Sequence, residues 1–229
     1  MPEPFQRPQG GSPGQSALRE YERRRAERRA RARARFGLLG AAVVRVGAEP
    51  QSTRAWKQGA QGELRAGRAL ARHLRGYGVV LLHDRRIPGR GRANIDHLAI
   101  GPGAVTVIDT KSARGGLRVQ KVGGVFSARR ELLLINGFDR TGLLDGLERQ
   151  VARVRGALGD LALDELICGA LCYPDIDGLA PRGVLSVRGG SLAIGAPRGV
   201  ARLARRRGPL SGPEVQVIAE LLERRFPPA

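Results

Sequence analysis

The order of hydrophobic patterns along the chain predicts a mixed α/β (α+β) fold: helix, strands, helix, strand, hairpin, helix, with the helices flanking a mixed, mostly antiparallel central sheet. Two further observations frame it. Composition changes near residue 48, so residues 1–48 read as an arginine-rich tail and residues 49–229 as the folded domain. The short Gly101-Pro102-Gly103-Ala104 turn between two apolar runs predicts an antiparallel hairpin within that domain.

A chain of 229 residues, 41% of them hydrophobic, can build the core of one domain. Its 40 basic and 21 acidic residues give a formal net charge of +19, which favours a polyanionic partner, either nucleic acid or an anionic membrane surface. Of the basic residues only Lys57, Lys111 and Lys121 are lysine. Arginine is a planar fork that stays protonated, whereas lysine is a compact ammonium with a tunable pKa, so a lysine kept against that bias marks a position to examine for catalysis. Cys168 and Cys172 fall in one apolar strand, ~13 Å apart at ~3.3 Å per residue, and cannot bridge each other. They read as buried thiols of a reducing compartment. The chain has no signal-peptide pattern, and its longest apolar run, Phe36 to Val44, is far short of the ~20 residues of a membrane span. A soluble, cytoplasmic protein is expected.

Residues 1–15 are rich in Pro, Gly, Gln and Ser, and residues 23–35 hold eight arginines, among them Arg23, Arg24, Arg25, Arg28 and Arg29. With arginine on every side this stretch has no core face and reads as disordered, or as a solvated helix that orders on a polyanion. After a Ser52-Thr53 cap region, Ala60, Leu64, Gly67, Ala71 and Leu74 recur at helical spacing. Trp56 ahead of them reads as a hydrophobic staple. At about 100° per residue, Glu63 falls about 60° to one side of this stripe, while Arg65, Arg68, Arg72 and Arg75 gather on the other as a row suited to a phosphate backbone. Val79 to His83, Ile95 to Ile100 and Ala104 to Lys111 read as three strands, followed by strands at Leu117 to Phe126 and Leu132 to Ile135. Leu144, Leu147, Val151, Val154 and Leu158 predict a second amphipathic helix capped by Thr141. A buried strand (Leu166 to Tyr173), a hairpin around Gly189-Gly190 and a last helix from Pro213 complete the chain. Gly115-Gly116 and Gly123-Gly124 read as hairpin turns; neither leads from a strand into a helix as a phosphate loop must, so no nucleotide cofactor is implied.

With Gly101 to Ala104 as the turn, Asp96 lies directly opposite Asp109, their Cβ atoms ~4.5–5.5 Å apart, where like charges need a cation or a proton between them. A hard divalent cation such as Mg²⁺ meets that need with oxygen ligands. Strand alternation puts Lys111 on the face of Asp109, while Thr110 faces away and offers only its backbone carbonyl. A lysine so placed can orient or help deprotonate an attacking water and offset charge in a phosphoryl transition state. His97 points to the other face and reads as a packing or hydrogen-bonded histidine; His73 and His83 receive no role.

Gly59-Ala60-Gln61-Gly62-Glu63, Asn94-Ile95-Asp96-His97-Leu98 and Val107-Ile108-Asp109-Thr110-Lys111 resemble, in order and spacing, the successive motifs of the nuclease-related domain (NERD) family of the PD-(D/E)XK superfamily. The resemblance covers roughly three quarters of the chain, without the tail. It implies a restriction-endonuclease-like core, Mg²⁺ or Mn²⁺ held by Glu63, Asp96 and Asp109, Lys111 as catalytic lysine, and DNA as substrate. Gln150 resembles the polar residue that often follows the lysine motif. One position departs from the family pattern: Asp109 stands where the family usually has glutamate. The alternative is a catalytically weak or inactive nucleic-acid-binding or interaction module on the same fold. A third reading, attachment of residues 16–44 to an anionic membrane surface, follows from the arginines beside the short apolar run.

Overall fold

The computed structural model describes residues 11–36, 51–89, 93–124, 127–177, 179 and 183–229. Of the expected tail, residues 1–10 and 37–50 lie outside the described residues, and with them most of the apolar run from Phe36 to Val44. The first element is a helix, α1 (Gln15–Phe36). Alanine, arginine and glutamate are strong helix formers, and Glu20 pairs with Arg23 and Arg24 at 2.7 Å each. Its start is not a free tail. The backbone N–H and the hydroxyl of Ser16 both donate to the Asp84 carboxylate at 2.7 Å, and Ala17 is buried. Gly14 has φ +69° and lies so close to the next helix that a Cβ there would stand 2.7 Å from the Ala60 carbonyl oxygen. Gly14, Ser16 and Ala17 thus dock on the domain at the end of the first and before the second of the two stretches, 1–15 and 23–35, expected to lack a core face, an anchor too short to leave a periodic signal beside so many arginines.

Helix α2 (Gln51–Leu74) buries Ala60, Ala66, Leu70 and Leu74. Ala71, expected on that stripe, is exposed, and Leu64 is only half-buried. The core face thus runs through Ala66 and Leu70, because the helix is covered on two sides and small residues serve on both. Trp56 is 39% exposed with the Arg24 guanidinium 5.5 Å from its ring centre, so it makes a cation–π contact rather than a staple.

Strands β1 (Val80–Arg86), β2 (Asn94–Gly101) and β3 (Ala104–Thr110) follow as antiparallel neighbours. Strands β4 (Leu117–Gly124), β5 (Ser127–Ile135) and β6 (Phe138–Asp139) form a separate three-stranded sheet. Gly123-Gly124 sits at the end of β4 before β5, as a hairpin requires, but Gly115-Gly116 joins two different sheets and is no hairpin turn. Helix α3 (Gly142–Leu158) buries all five residues of its expected stripe. Thr141 stands at its N-cap, but its hydroxyl accepts from the Leu133 N–H at 3.0 Å instead of capping the helix. Strand β7 (Ile167–Cys172) runs parallel to β3, and β8 (Val184–Val187) and β9 (Leu192–Gly195) complete a sheet of order β1-β2-β3-β7-β9-β8. Helix α4 (Pro197–Ala204) has no counterpart in the sequence-based expectation; with only eight residues it is too short for a secure periodic signal. Helix α5 (Gly212–Arg225) starts with a Ser211/Glu214 capping box and stops before Pro227.

One face of the six-stranded sheet carries α2 and α4 over Ala99, Ile108 and Ala170. The other carries α3 and α5 over Leu98, Val105, Val107 and Leu171. The result is a mixed α/β core with helices on both faces. Cys168 and Cys172 are buried free thiols.

Candidate functional site

The β2–β3 ladder sets His97 opposite Ile108 and Leu98 opposite Val107. One step further along this register bring Asp96 and Asp109 across from each other. The Thr110 N–H donates to Asp96 Oδ2 at 2.7 Å, which pins the two strand ends together. Asp109 shares the face of Val105 and Val107, and the Lys111 ammonium lies 2.8 Å from its carboxylate. Thr110 is buried, and its Oγ1 has no hydrogen-bond partner among the described residues.

Glu63 enters from α2, near enough to feel the charges of Asp84, Lys111 and Asp109. It is half-buried, in helical step with the buried Ala66, Gly67 and Leu70, at the edge of the helix's buried face. Gly62 explains how the helix comes so near: an added Cβ would lie 1.8 Å from the Ser112 Oγ, just beyond Lys111. The Ser112 hydroxyl then donates to the Gln58 carbonyl at 3.1 Å, fastening the strand end to the helix.

These groups feel one another strongly. Burial, then the charges of Asp84 and Asp109, push the Glu63 carboxyl up to about 7. Burial, then Asp109 and Glu63, hold the Asp96 carboxyl well above the usual range. For Lys111 burial works against the ammonium, but Asp109, Asp96 and Glu63 outweigh it and hold its pKa above the ordinary lysine value. The cluster therefore has a surplus of carboxyl groups over cations, a donor set of hard oxygens that suits Mg²⁺ or Mn²⁺. Among the described residues no group of three or more His, Cys, Asp or Glu side chains is placed to hold a metal ion. The fit rests on charge balance and donor chemistry.

Asp84 is a neighbour of the carboxyl cluster that the motifs do not reveal. It is buried, has φ +50°, and falls where the β1–β2 ladder skips a pair between His83 and Arg85. The kink turns its carboxylate toward Ser16, with Asn94 also donating at 3.3 Å, and places it where Glu63 feels its charge. Only an isolated Asp in a strand run could have hinted at it. His97 is buried as expected, and its Nδ1 shares a 2.8 Å hydrogen bond with Nδ1 of His83, the partner that the sequence left without a role. Burial lowers both; His83 falls to about 4, so the pair is neutral. Gln150 sits on α3, its side-chain oxygen buried with no hydrogen-bond partner among the described residues.

Arg65, Arg68 and Arg72 are exposed along α2, and Arg75 lies just past its end. Arg65 is ion-paired with Asp175. On α1, Arg23 and Arg24 are engaged by Glu20, whose carboxyl these two arginines pull down to about 2, while Arg25 and Arg29 are exposed and Arg28 is half-buried.

A mixed sheet flanked by helices, with acidic residues and a lysine gathered at one end of its central hairpin, defines a nuclease-like α/β protein. The chain belongs to the nuclease-related domain family, whose family model matches residues 58–174, just over half of its 229 residues. The match is shorter than the three quarters expected: it ends just after β7 and omits β8, β9, α4 and α5. PD-(D/E)XK is the general kind of fold for this family. No curated protein and no solved structure matches the chain. No helix among the described residues is long and apolar enough to cross a membrane.

Proposed function

We propose that the chain is a Mg²⁺- or Mn²⁺-dependent nuclease that hydrolyses phosphodiester bonds of DNA in the cytoplasm. The observation that carries this reading is the Lys111 ammonium 2.8 Å from Asp109, at a strand end pinned to Asp96 and approached by Glu63. The cation would be held by Glu63, Asp96, Asp109 and the Thr110 carbonyl oxygen, where it would polarise the phosphate and activate a water. Lys111, held protonated by its neighbours, orients the attacking water and offsets the charge that builds on the phosphate oxygens. Asp109 keeps the ammonium in place. Thr110 fixes the Asp96 carboxylate through its N–H, and that carboxylate would be among the groups that hold the cation. Gln150, from the helix behind β3, completes the set as a polar support. The exposed arginines Arg65, Arg68, Arg72 and Arg75, with Arg23, Arg24, Arg25, Arg28 and Arg29 of α1, supply sequence-independent phosphate contacts.

The test is cleavage of plasmid and linear DNA by the full chain. Cleavage is expected with Mg²⁺ or Mn²⁺ and not after EDTA; cleavage that survives the chelator would overturn the mechanism. A second reading, a nucleic-acid-binding module without turnover, is favoured by one feature: Asp109 is a methylene shorter than the glutamate usual in the family. Calorimetric titration with Mn²⁺ separates the two. Binding that is lost in Asp96→Asn supports the enzyme, whereas no metal binding together with salt-dependent DNA binding supports the module.

A further inference from the structure

Immediately beyond Lys111 the chain lines a cavity of about 300 Å³. It is lined by Ser112, Ala113 and Arg114, by Gln58, Gln61 and Arg65 of α2, and by Asp175, just past β7. The three α2 residues sit at helical spacing and so share one face. Glu63 lies between Gln61 and Arg65 in sequence but, at about 100° per residue, on another face of the helix. The walls are fixed relative to the lysine: Ser112 donates to the Gln58 carbonyl at 3.1 Å, and Gly62 lets α2 lie directly on Ser112. Asp175 holds Arg65 by an ion pair. Asn136 donates to the Arg114 carbonyl at 2.9 Å.

The chemistry of this lining is selective. Two glutamine amides each offer donors and an acceptor on one rigid face, the pairing that suits the edge of a nucleobase. Two arginines against one aspartate leave a net positive charge for a phosphate. A cavity of this size takes a small ligand, and a base still paired and stacked in a duplex cannot enter it. Resting on the nuclease reading above, we infer that this cavity seats one unpaired nucleotide of the substrate strand next to the bond that is cut, with Gln58 and Gln61 on the base edge and Arg114 on its phosphate. Single strands, frayed ends and flaps are then better substrates than blunt duplex.

The experiment compares the full chain with Gln58→Ala/Gln61→Ala and Arg114→Ala on a fluorescein-labelled single-stranded oligodeoxynucleotide and its blunt duplex. Cleavage gives KM and kcat in Mg²⁺, and fluorescence anisotropy gives Kd in Ca²⁺. All three side chains are exposed, so melting temperatures should stay at the native value. The glutamine pair should raise KM and Kd for the single strand about tenfold with kcat kept, and change the duplex values little. Arg114→Ala should flatten the log–log salt slope of single-strand binding by ~0.7. Unchanged single-strand KM and Kd in both variants, or equal losses on single strand and duplex, would overturn the nucleotide seat while leaving the nuclease standing. A native chain that neither cuts nor binds either oligonucleotide would remove the nuclease reading itself.

Discussion

At the scale of single residues, the carboxyl cluster makes the site dependent on pH in a direction that can be worked out. Glu63 has a folded pKa of about 7 against an ordinary value of 4.5. A group raised in this way stabilises the fold fully below its unfolded pKa, and that contribution is lost as pH rises through about 7. The cation-free chain in EDTA should therefore lose on the order of 2 kcal/mol between pH 5 and pH 8, part-exposure having reduced the figure. Thermal melts in EDTA check this; Glu63→Gln should flatten the profile, and a native profile that is already flat would contradict it. Metal binding requires the ionised form, so Mn²⁺ affinity should rise across the same pH range in which the cation-free fold weakens. Asp96, Asp109 and Lys111 were legible because a strand has period two and a tight turn fixes its register. Asp84 was not, since its position depends on a single left-handed residue that breaks the β1–β2 ladder.

At the scale of elements, two close contacts decide how the site is assembled. Gly62→Ala should force the Ser112 hydroxyl to rotate away from the Gln58 carbonyl and cost about 0.5–1.5 kcal/mol for the lost bond, with a loss of metal affinity only to the extent that α2 shifts and carries Glu63 with it. Chemical denaturation and Mn²⁺ titration of the same variant measure both; native values in each would show that the strand end yields instead. The second contact is the Ser16–Asp84 pair, which ties the start of α1 to the acidic cluster. Ser16→Ala removes one of the two donors and should cost about 1–3 kcal/mol, since the buried carboxylate loses a partner. A melting temperature unchanged from native would mean that α1 is not held there. The sequence left α1 open between a disordered stretch and a solvated basic helix, with no sign of a docked start. Its anchor is a handful of small residues, Gly11 to Ala17, which carry neither hydrophobic period nor charge pattern. The stripe of α2 was misplaced for a related reason: alanine and glycine occur on all its faces, so spacing alone could not tell Ala66 from Ala71.

At the scale of the whole molecule, the net charge of +19 sets how binding responds to salt. Because α1 is anchored at its start, removal of the tail perturbs the site as well as the charge, so point variants test the arm better. Arg25→Ala/Arg29→Ala, both on the exposed surface, should flatten the log affinity against log salt slope on duplex DNA by ~0.9 per lost contact, with saturating turnover kept. An unchanged slope would count against a DNA-binding role for α1. The fold class was legible from the order of patterns, and the placement of Asp96, Asp109 and Lys111 at one end of the hairpin from its register. The separate β4-β5-β6 sheet and α4 were not, since short strands do not announce which sheet they join and an eight-residue helix barely repeats. The central claim is that Lys111 serves the chemistry of a metal site that forms without it. The most direct measurement is Mn²⁺ stoichiometry and plasmid cleavage rate, taken side by side in native protein and Lys111→Ala. The account predicts one bound Mn²⁺ retained and a rate lower by about 10²–10⁴-fold; cleavage at the native rate in that variant would contradict it.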